Sequence, residues 1–489
     1  MSNLIFEKGN FGREGVSVPA AAKPKKDIYS SIPDTFLAKK NYDFPYLSEL
    51  DVIRHYVNLS RLNFSIDTNF YPLGSCTMKY NPKINEELSS MKGFVNLHPY
   101  QDQEDIQGAL YIIHDLEKML CEITGMNRFS FQPSAGAHGE LTGMLMIRAY
   151  HCAKNNKKTK VIVPDSSHGT NPASAAMCGY EIVQIKSNEN GLVDISELKK
   201  NIDKETAAVM LTNPNTLGLF EEEIKEIADI SHAKGALLYY DGANLNALLG
   251  ITNPALMGFD VMHINLHKTF ATPHGGGGPG SGPVGVTKEL IEFLPVPLVD
   301  KKDNQFYFNY DFPRSIGKVK AFYGNFLVLV KAYIYILSVG GLGLKEISEN
   351  AVLNANYLKE NLKKYFDLPY DKICMHETVF SAARQKQEND ISALDIAKRL
   401  IDYGIHPPTV YFPLIVKEAL MIEPTETESK ETLDNFIEVM KKIYAESKTN
   451  PQLLKEAPHN TPVRRLNEVK AAMDLDLRWN PQKPFDNHR

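Results

Sequence analysis

The sequence predicts an α/β protein in which helices cover both faces of a parallel sheet, followed by a smaller α+β region. Four short apolar runs, "VIVP", "AAVMLTN", "GALLYYD" and "VMHINLH", lie between 161 and 267 and end in polar, proline or glycine residues. A helical segment, "LFEEEIKEIADISHAKG", separates the second run from the third. Alternating strands and helices are typical of a parallel sheet, and such sheets bind ligands at the carboxyl ends of their strands.

The length of 489 residues predicts two or three domains. Residues 1–95 are weakly periodic and contain many prolines, which indicates an N-terminal arm. Residues 96–340 form the predicted large α/β domain, and residues 341–489 a small C-terminal α+β domain with a tail. Thr425 and Glu428 have the spacing of a capping box before the last helix of this small domain.

Composition excludes several classes of function. The net charge is −5 and no segment is strongly basic, which argues against a nucleic-acid partner. The five cysteines are scattered and odd in number, as expected for reduced thiols rather than a disulfide framework or a zinc site. The stretch "MSNLIFEKGNFGREG" lacks the apolar core of a signal peptide. We therefore expect a cytoplasmic protein.

The most apolar segment is "NFLVLVKAYIYILSVGGLGL", which begins at Asn325 and approaches the length of a membrane span. Lys331 and three glycines interrupt it, and a lysine at the centre of a bilayer costs roughly 3 kcal/mol. The sequence therefore favours a helix in a large core or at a subunit interface, without a membrane.

The stretch "HINLHKTFATPHGGGGPGSGPVGV", residues 263–286, places Lys268 between histidines and before a run of glycines. His263 and His267 have HExxH spacing, but Ile264 replaces the glutamate, and four residues of strand would separate the imidazoles by roughly 13 Å. We therefore predict no metal site. The glycines follow the lysine, which excludes a Walker loop. Lys268 is then either a surface lysine before a flexible loop or a reactive amine.

A second strand end favours the reactive amine. Asp241 ends the run "LLYYD" and precedes Lys268 by 27 residues. A carboxylate at this edge of a sheet could pair with a protonated pyridine nitrogen, while the lysine forms a Schiff base with the aldehyde of the same ring. Asp241 could otherwise be a turn-forming or helix-capping residue.

Two further segments add to this pattern. The run Ser134, Ala135, Gly136 and Ala137 starts a helical stretch, so its backbone N–H groups could hold a phosphate, or it could be an ordinary helix start. His168 follows the strand "VIVP", where an imidazole could stack on a planar cofactor or be merely solvated. Together these residues indicate a pyridoxal phosphate enzyme with the aspartate aminotransferase fold (fold type I).

The sequence also resembles the glycine decarboxylase P-protein family of the glycine cleavage system, in its two-chain form as subunit 2. The resemblance covers nearly the whole chain and includes "YPLGSCTMKYNPK", "QPSAGAHGELTGMLMIRAYH", "PDSSHGTNPASAAMCGY", "NLHKTFATPHGGGGPGSGPVGV" and "EPTETESKETLD". It implies that Lys268 carries pyridoxal phosphate and that glycine is the substrate. It further implies a partner subunit 1 in an assembly of two copies of each chain, and a lipoyl-carrying H-protein.

The expected chemistry is release of CO2 from glycine and transfer of the aminomethyl group to the lipoyl disulfide. We expect Asp241 to keep the pyridine nitrogen protonated and His168 to stack on the ring. His267 or His274 could transfer a proton, although either could be purely structural. Cys76 is expected to be inert packing rather than part of the site entrance. Two alternatives remain at this point: another enzyme of the same cofactor class, and a non-catalytic half that supports a catalytic partner.

Overall fold

A seven-stranded sheet forms the centre of the larger part of the chain, in a computed structural model that describes residues 4–9, 12–13, 15, 31–38, 44–274 and 280–478. Its strands are β1 (Arg128–Ser130), β2 (Lys160–Pro164), β3 (Glu181–Ile185), β4 (Thr206–Thr212), β5 (Leu237–Gly242), β6 (Val261–Ile264) and β7 (Val284–Val286). The order across the sheet is β1-β7-β6-β5-β4-β2-β3. Every residue of β4 and β5 is buried, as expected for strands that are covered on both faces.

The sheet is mixed rather than fully parallel. Strands β2 to β6 pair in parallel, which confirms the prediction for them. No strand was predicted at β7, which runs antiparallel to both β6 and β1. A parallel connection needs a helix long enough to cross the sheet. Within the described part of residues 265–283, the chain forms the four-residue helix Leu266–Thr269 and then turns back beside β6.

Helices cover both faces of this sheet. Alternation along β5 shows the two cores, because Leu238 and Tyr240 pack into one apolar cluster while Leu237 and Tyr239 pack into another. The α-helices of the described residues are α1 (Glu49–Ser60), α2 (Lys83–Ser89), α3 (Lys92–Val95), α4 (Gln107–Thr124), α5 (Gly136–Ala153), α6 (Thr170–Met177), α7 (Ile195–Asn201), α8 (Ile224–Ala233), α9 (Leu266–Thr269), α10 (Phe326–Leu362), α11 (Ala383–Asn389), α12 (Ala393–Asp402), α13 (Lys430–Thr449), α14 (Pro451–Lys455) and α15 (Glu468–Met473).

Helix α10 is long and apolar enough to cross a membrane by length and composition, among the residues that the structure describes. Gly340 breaks it, with a φ of 63° and a ψ of 179°. The apolar part before this break is shorter than the roughly 20 residues that a span requires. Val328, Leu329 and Ala332 pack into the core of the sheet, and Lys331 pairs with Glu86 on α2. These contacts are those of a core helix.

The C-terminal region contains a second, antiparallel sheet. Its strands are β10 (Thr378–Ser381), β11 (Thr409–Val410) and β12 (Ala419–Ile422), in the order β10-β12-β11, after a hairpin of β8 (Leu298–Lys302) and β9 (Gln305–Asn309). Ser429 caps helix α13 by accepting the N–H of Thr432. The predicted cap at Thr425 and Glu428 is therefore wrong, because Thr425 has a φ of 67° and its hydroxyl bonds Thr427 instead.

The described chain divides into two compact units, one of residues 66–459 and one that joins the described parts of residues 1–65 and 460–489. In the second unit, Ser48 caps α1 and Arg13 pairs with Asp51. The boundaries predicted at 95 and 340 remain predictions.

Residues 71–83, which we call the 71–83 segment, connect the C-terminal sheet to helix α9. Leu73 forms a bridge with Ile422 of β12. Further along, the buried Nζ of Lys79 donates to Glu426 at 2.7 Å and to the carbonyl of Thr269 at 2.8 Å. The turn that follows β6 is therefore anchored by a residue almost 200 positions earlier.

We expect Lys79→Met to lower the free energy of unfolding by about 3 kcal/mol, because it leaves the carboxylate of Glu426 buried without its cation. Lys83 and Asp67 form an exposed pair four residues further along, so Lys83→Met should change the same quantity by less than about 1 kcal/mol. Urea unfolding of both variants measures the difference. Equal changes in the free energy of unfolding for both variants would show that the buried Lys79–Glu426 pair contributes no more than the exposed pair.

Candidate active site

A cavity of about 380 Å³ lies where the carboxyl ends of β2, β4, β5 and β6 meet. The parallel pairing of these strands brings together residues that are far apart in sequence. Its lining comes from the strand ends, the start of α5, helix α9 and the 71–83 segment: Ser75, Cys76, Ala135, Gly136, Ala137, Glu140, His168, Thr170, Thr212, Thr216, Asp241, Ala243, Asn244, Asn265, His267, Lys268, His274 and Gly280. Eight of the nine residues singled out from the sequence thus line one cavity, and Ser134 borders it through its neighbour Ala135.

Lys268 reaches the cavity from α9. The strand predicted up to residue 267 ends at Ile264, and Lys268 lies on the helical turn that follows. The side chain is buried, with 8% of the residue exposed, and its Nζ donates to the carbonyl oxygen of Ser75 at 2.7 Å. A surface lysine before a loop would be solvated, so this placement favours the reactive-amine alternative.

Asp241 is the penultimate residue of β5, lines the cavity and is 3% exposed. Burial opposes its charge, but His263 lies 3.3 Å from Oδ1, Asn171 donates to Oδ2 at 3.0 Å, and Lys268 is nearby. Together with the N–H of Ala243, these groups outweigh burial and hold the pKa of Asp241 below its ordinary value. Asp241 is therefore a carboxylate that can accept from a cationic ligand.

His263 supports Asp241 from the neighbouring strand. The pairing of β5 with β6 sets the two residues side by side, and the hydroxyl of Tyr239 lies 2.8 Å from Nδ1 of His263. Burial lowers the pKa of His263, so the imidazole is neutral at neutral pH, and its Nε2 lies 3.3 Å from Oδ1 of Asp241. The sequence analysis considered His263 as a metal ligand and missed this contact, since strand register is not visible in the sequence.

Glu140 on α5 was also missed, although it faces the same cavity. It is 4% exposed, and its Oε1 accepts from the hydroxyl of Thr170 at 2.8 Å. Burial and the nearby Asp241 raise the pKa of Glu140 to about 7. A neutral Glu140 beside an ionised Asp241 avoids placing two charges of the same sign in one buried site.

The predicted phosphate site lies at the start of α5 and remains a prediction. Ala135 is the N-cap and has no side-chain acceptor, so the first N–H groups of the helix are not capped by it. The side chain of Asn265 packs directly against Gly136, where a Cβ would collide with its Oδ1. Ser134 bonds His138 through its N–H, at 3.2 Å. An anion at this helix start would meet free donors and the positive end of the helix dipole.

Three histidines surround the opening. His168 is exposed and lies beside Phe412 in an edge-to-face contact, and its Nδ1 accepts the N–H of Thr170 at 3.3 Å. His267 and His274 pack edge to face with ring centres 5.1 Å apart. Burial lowers the pKa of His267 to about 3 and also lowers that of His274. Both rings are thus neutral at neutral pH, and their predicted role in proton transfer remains a prediction.

The 71–83 segment supplies a wall that the sequence did not assign to the site. Cys76 lines the cavity, which is the alternative that the sequence analysis disfavoured. Burial raises the pKa of its thiol, so Cys76 is a poor nucleophile at neutral pH. Its position is part of the site, and its expected inertness agrees with this pKa.

Two buried groups of acids and histidines could hold a metal ion, among the residues that the structure describes: Glu140 with Asp241 and His263, and His376 with Glu377 and Glu423. His267 belongs to neither group. Because it lies on α9 rather than on a strand, the strand distance used in the sequence argument does not apply to it. The absence of a metal remains a prediction.

The fold defines the class of protein. A crystal structure of "glycine decarboxylase (P-protein) of the glycine cleavage system, in inhibitor-bound form" superposes with a TM-score of 0.72 and 19% identity, over 85% of this chain and 94% of the other. The "Lactobacillus brevis CGMCC 1306 Glutamate decarboxylase" superposes with a TM-score of 0.65 and 13% identity, over 86% and 96%. The chain therefore has the fold of the fold type I pyridoxal phosphate-dependent enzymes.

The family follows from sequence. The model "Glycine cleavage system P-protein" matches residues 22–307, and "Glycine dehydrogenase, C-terminal domain" matches residues 347–461. A "Probable glycine dehydrogenase (decarboxylating) subunit 2" of Caldanaerobacter subterraneus subsp. tengcongensis is 61% identical over 479 residues, covering 98% of this chain and 99% of the relative. A relative with the same name from Thermotoga maritima is 57% identical over 478 residues, covering 97% and 99%. The chain belongs to the glycine cleavage system P-protein family.

The raised pKa of Glu140 predicts a pH dependence of stability. In the unfolded chain this carboxyl ionises near pH 4.5, whereas in the folded protein it keeps its proton up to about pH 7. The folded state binds more protons in that window, so stability falls there as pH rises, by up to about 1.4 kcal/mol per pH unit. Glu140→Gln should remove this contribution and flatten the curve.

Urea unfolding between pH 4.5 and 7 measures the slope for wild type and variant. Other buried carboxyls contribute to both proteins, so the difference between the two curves isolates Glu140. The exposed Glu222→Gln is the control and should leave the slope unchanged. Parallel curves for wild type and Glu140→Gln would show that Glu140 is ionised in the folded protein.

Proposed function

We propose that the chain is the pyridoxal phosphate-dependent glycine decarboxylase subunit of the glycine cleavage system. It releases CO2 from glycine and transfers the aminomethyl group to the lipoyl disulfide of an H-protein. The observation that carries the proposal is the meeting of the Lys268 amine and the Asp241 carboxylate in one cavity beside an uncapped helix start. Membership of the P-protein family, whose printed names specify glycine, supplies the substrate.

The residues present fit pyridoxal phosphate. The phosphate would bind the backbone N–H groups at Ser134, Ala135, Gly136 and Ala137, at the start of α5, where Ala135 provides no side-chain cap. Within the described part of the chain, Nδ1 of His267 and the hydroxyl of Thr212 are buried without a hydrogen-bond partner, and both residues line the cavity. Orphaned polar atoms of this kind are costly unless a ligand or water satisfies them. Lys268 would bond the aldehyde, and His168 would cover one face of the ring.

When bound, pyridoxal phosphate supplies an electron-accepting ring that stabilises the charge left at the glycine Cα as CO2 departs. Asp241 holds a proton on the pyridine nitrogen, because its own pKa is low and its carboxylate is fixed by Asn171, His263 and Ala243. The pKa of Glu140 is about 7, so at neutral pH this carboxyl is only partly ionised and adds less negative charge beside Asp241 than an ordinary glutamate would. The negative charge is thus concentrated on the Asp241 carboxylate, which would pair with the pyridine nitrogen.

The neutral pair His267 and His274 sits beside Lys268 at the opening. Neutral imidazoles can accept a proton, or hold the glycine carboxylate by single hydrogen bonds. Weak binding of the carboxylate in the ground state is an advantage here, since tight binding of the group that leaves would not lower the barrier. We assign these two histidines to substrate positioning or proton transfer.

The partners are proposed from the family. The relatives are called subunit 2, which implies a subunit 1, and we propose an assembly of two copies of each chain. The lipoyl arm of the H-protein accepts the product group. We propose a cytoplasmic location with no role for a membrane, no nucleic acid and no metal.

Replacing the reactive lysine tests the cofactor assignment. Borohydride reduction of the holoenzyme followed by peptide mapping should place the modification on Lys268, with the other lysines as internal controls. Lys268→Ala should lose both the modification and the exchange of CO2 with glycine, while its circular dichroism spectrum stays that of the wild type. Catalytic activity in Lys268→Ala would contradict the proposal. Exchange with alanine in place of glycine would change the substrate assignment.

Asp241→Asn tests the role of the carboxylate. A hydrogen bond to a charged group is worth about 1.5–3 kcal/mol, so the turnover rate should fall roughly ten- to a hundredfold. Asp260→Asn is the matched control, because Asp260 precedes β6 at the opposite end of the sheet and bonds His232 and the N–H of Leu238. It should leave turnover unchanged. Equal losses in both variants would indicate a general structural effect.

Assembly is tested by coexpression with a subunit 1 from the same genome. Light scattering should give the mass of two copies of each chain, and the complex should decarboxylate glycine in the presence of lipoylated H-protein. Full activity of this chain alone would show that subunit 1 is not required and would contradict this part of the proposal.

A further inference from the structure

The Nζ of Lys268 donates to the carbonyl oxygen of Ser75 at 2.7 Å. We propose that the Ser75 carbonyl is the receiving site for the Lys268 amine whenever substrate has displaced it from the cofactor, and that Glu377 is the positioning residue that fixes Ser75. The proposal rests on the proposed function in that Lys268 is taken as the residue that bonds the aldehyde.

The backbone around Ser75 is held in an unusual conformation. Ser75 has a φ of 64°, in the left-handed region that costs a non-glycine residue of order 1–3 kcal/mol. A Cβ at Gly74 would collide with Met421, so the segment lies directly against β12. The hydroxyl of Thr409 donates to the carbonyl of Gly74 at 2.7 Å. Surrounding contacts thus impose a conformation in which the next carbonyl, that of Ser75, points at Lys268.

Two buried glutamates complete this support. Oε2 of Glu377 accepts the N–H of Ser75 at 2.8 Å, and Oε1 of Glu423 accepts the hydroxyl of Thr77 at 2.5 Å. Glu377 is 0% exposed and Glu423 is 1% exposed. Burying a carboxyl costs free energy, yet two of them are buried here, and both hold residues 74–77 in place by accepting hydrogen bonds.

The consequence is a short return path for the amine. A free lysine side chain has four rotatable bonds, and fixing them costs up to about 2 kcal/mol of rotamer entropy. An acceptor inside the cavity keeps the displaced amine ordered and within reach of the aldehyde carbon. The hydrogen bond to this acceptor offsets the loss of rotamer entropy. Loss of the acceptor should slow bond formation between Lys268 and the aldehyde without changing the chemistry of either group.

The test uses the full chain with two variants of Glu377. Glu377→Gln keeps an oxygen that accepts from Ser75, whereas Glu377→Met has similar length and no acceptor. Glu221→Gln is the matched control, because Glu221 is also buried and accepts a backbone N–H, that of Val193, which does not line the cavity as Ser75 does. The first readout, on the apoprotein, is the rate at which an amine-acylating reagent modifies Lys268, followed by peptide mapping. The second is the rate of absorbance change when pyridoxal phosphate is added.

We expect the rate of absorbance change on addition of pyridoxal phosphate to fall about tenfold in Glu377→Met. The same rate should stay within about twofold of wild type in Glu377→Gln and Glu221→Gln. In the apoprotein, Lys268 of Glu377→Met should be acylated faster than in wild type, since its amine is no longer held. If Glu377→Met does not fold, Thr77→Val removes the bond to Glu423 and should shift both rates in the same directions.

Wild-type rates in Glu377→Met, or equal changes in Glu377→Met and Glu221→Gln, would overturn the proposal. A stoichiometric divalent metal that Glu377→Gln removes would also overturn it, because Glu377, Glu423 and His376 would then be metal ligands. The acylation readout needs neither glycine nor cofactor. Failure of glycine decarboxylation would therefore contradict the proposed function, whereas the acylation rates would still test the inference about Ser75.

Discussion

The buried carboxylate of Asp241 is the interaction on which the site depends. An unpaired charge in the interior would lose its hydration, so the group would simply take up a proton. Three different elements prevent this: Asn171 on α6, His263 on β6 and the N–H of Ala243 in the turn after β5. The strand order and the parallel register of β5 and β6 are thus requirements of the electrostatics as well as of the fold.

Buried carboxyls are also paired where the 71–83 segment lines the cavity. Glu377, Glu423 and Glu426 come from the C-terminal sheet and the turn after β12, yet they bond Ser75, Thr77 and Lys79. The partners are 302 to 347 residues apart in sequence. Neither region could form this wall alone, since the 71–83 segment contains no regular structure before α2 and the glutamates would be unpaired without it.

Much of the fold was visible in the sequence because hydrophobic periodicity is a local property. The runs that became β2, β4 and β5 and the helical pattern of α8 could be read directly, and turn residues marked their ends. The strand β6 was predicted too long, since the alternation of "VMHINLH" continues into α9, where helix geometry takes over after Ile264. The direction of β7 was missed because strand pairing depends on contacts between distant residues.

By itself, the sequence predicted which residues carry the chemistry: Lys268, Asp241, His168 and the run Ser134–Ala137 stand out by residue type and by position after apolar runs. It also determined the family, through long motifs. The tertiary structure decided what surrounds them, namely His263 beneath Asp241, the neutral Glu140, and Ser75 as the acceptor for the lysine. Chemical identity is a property of single residues, whereas protonation and placement depend on burial and on neighbours that the fold brings together.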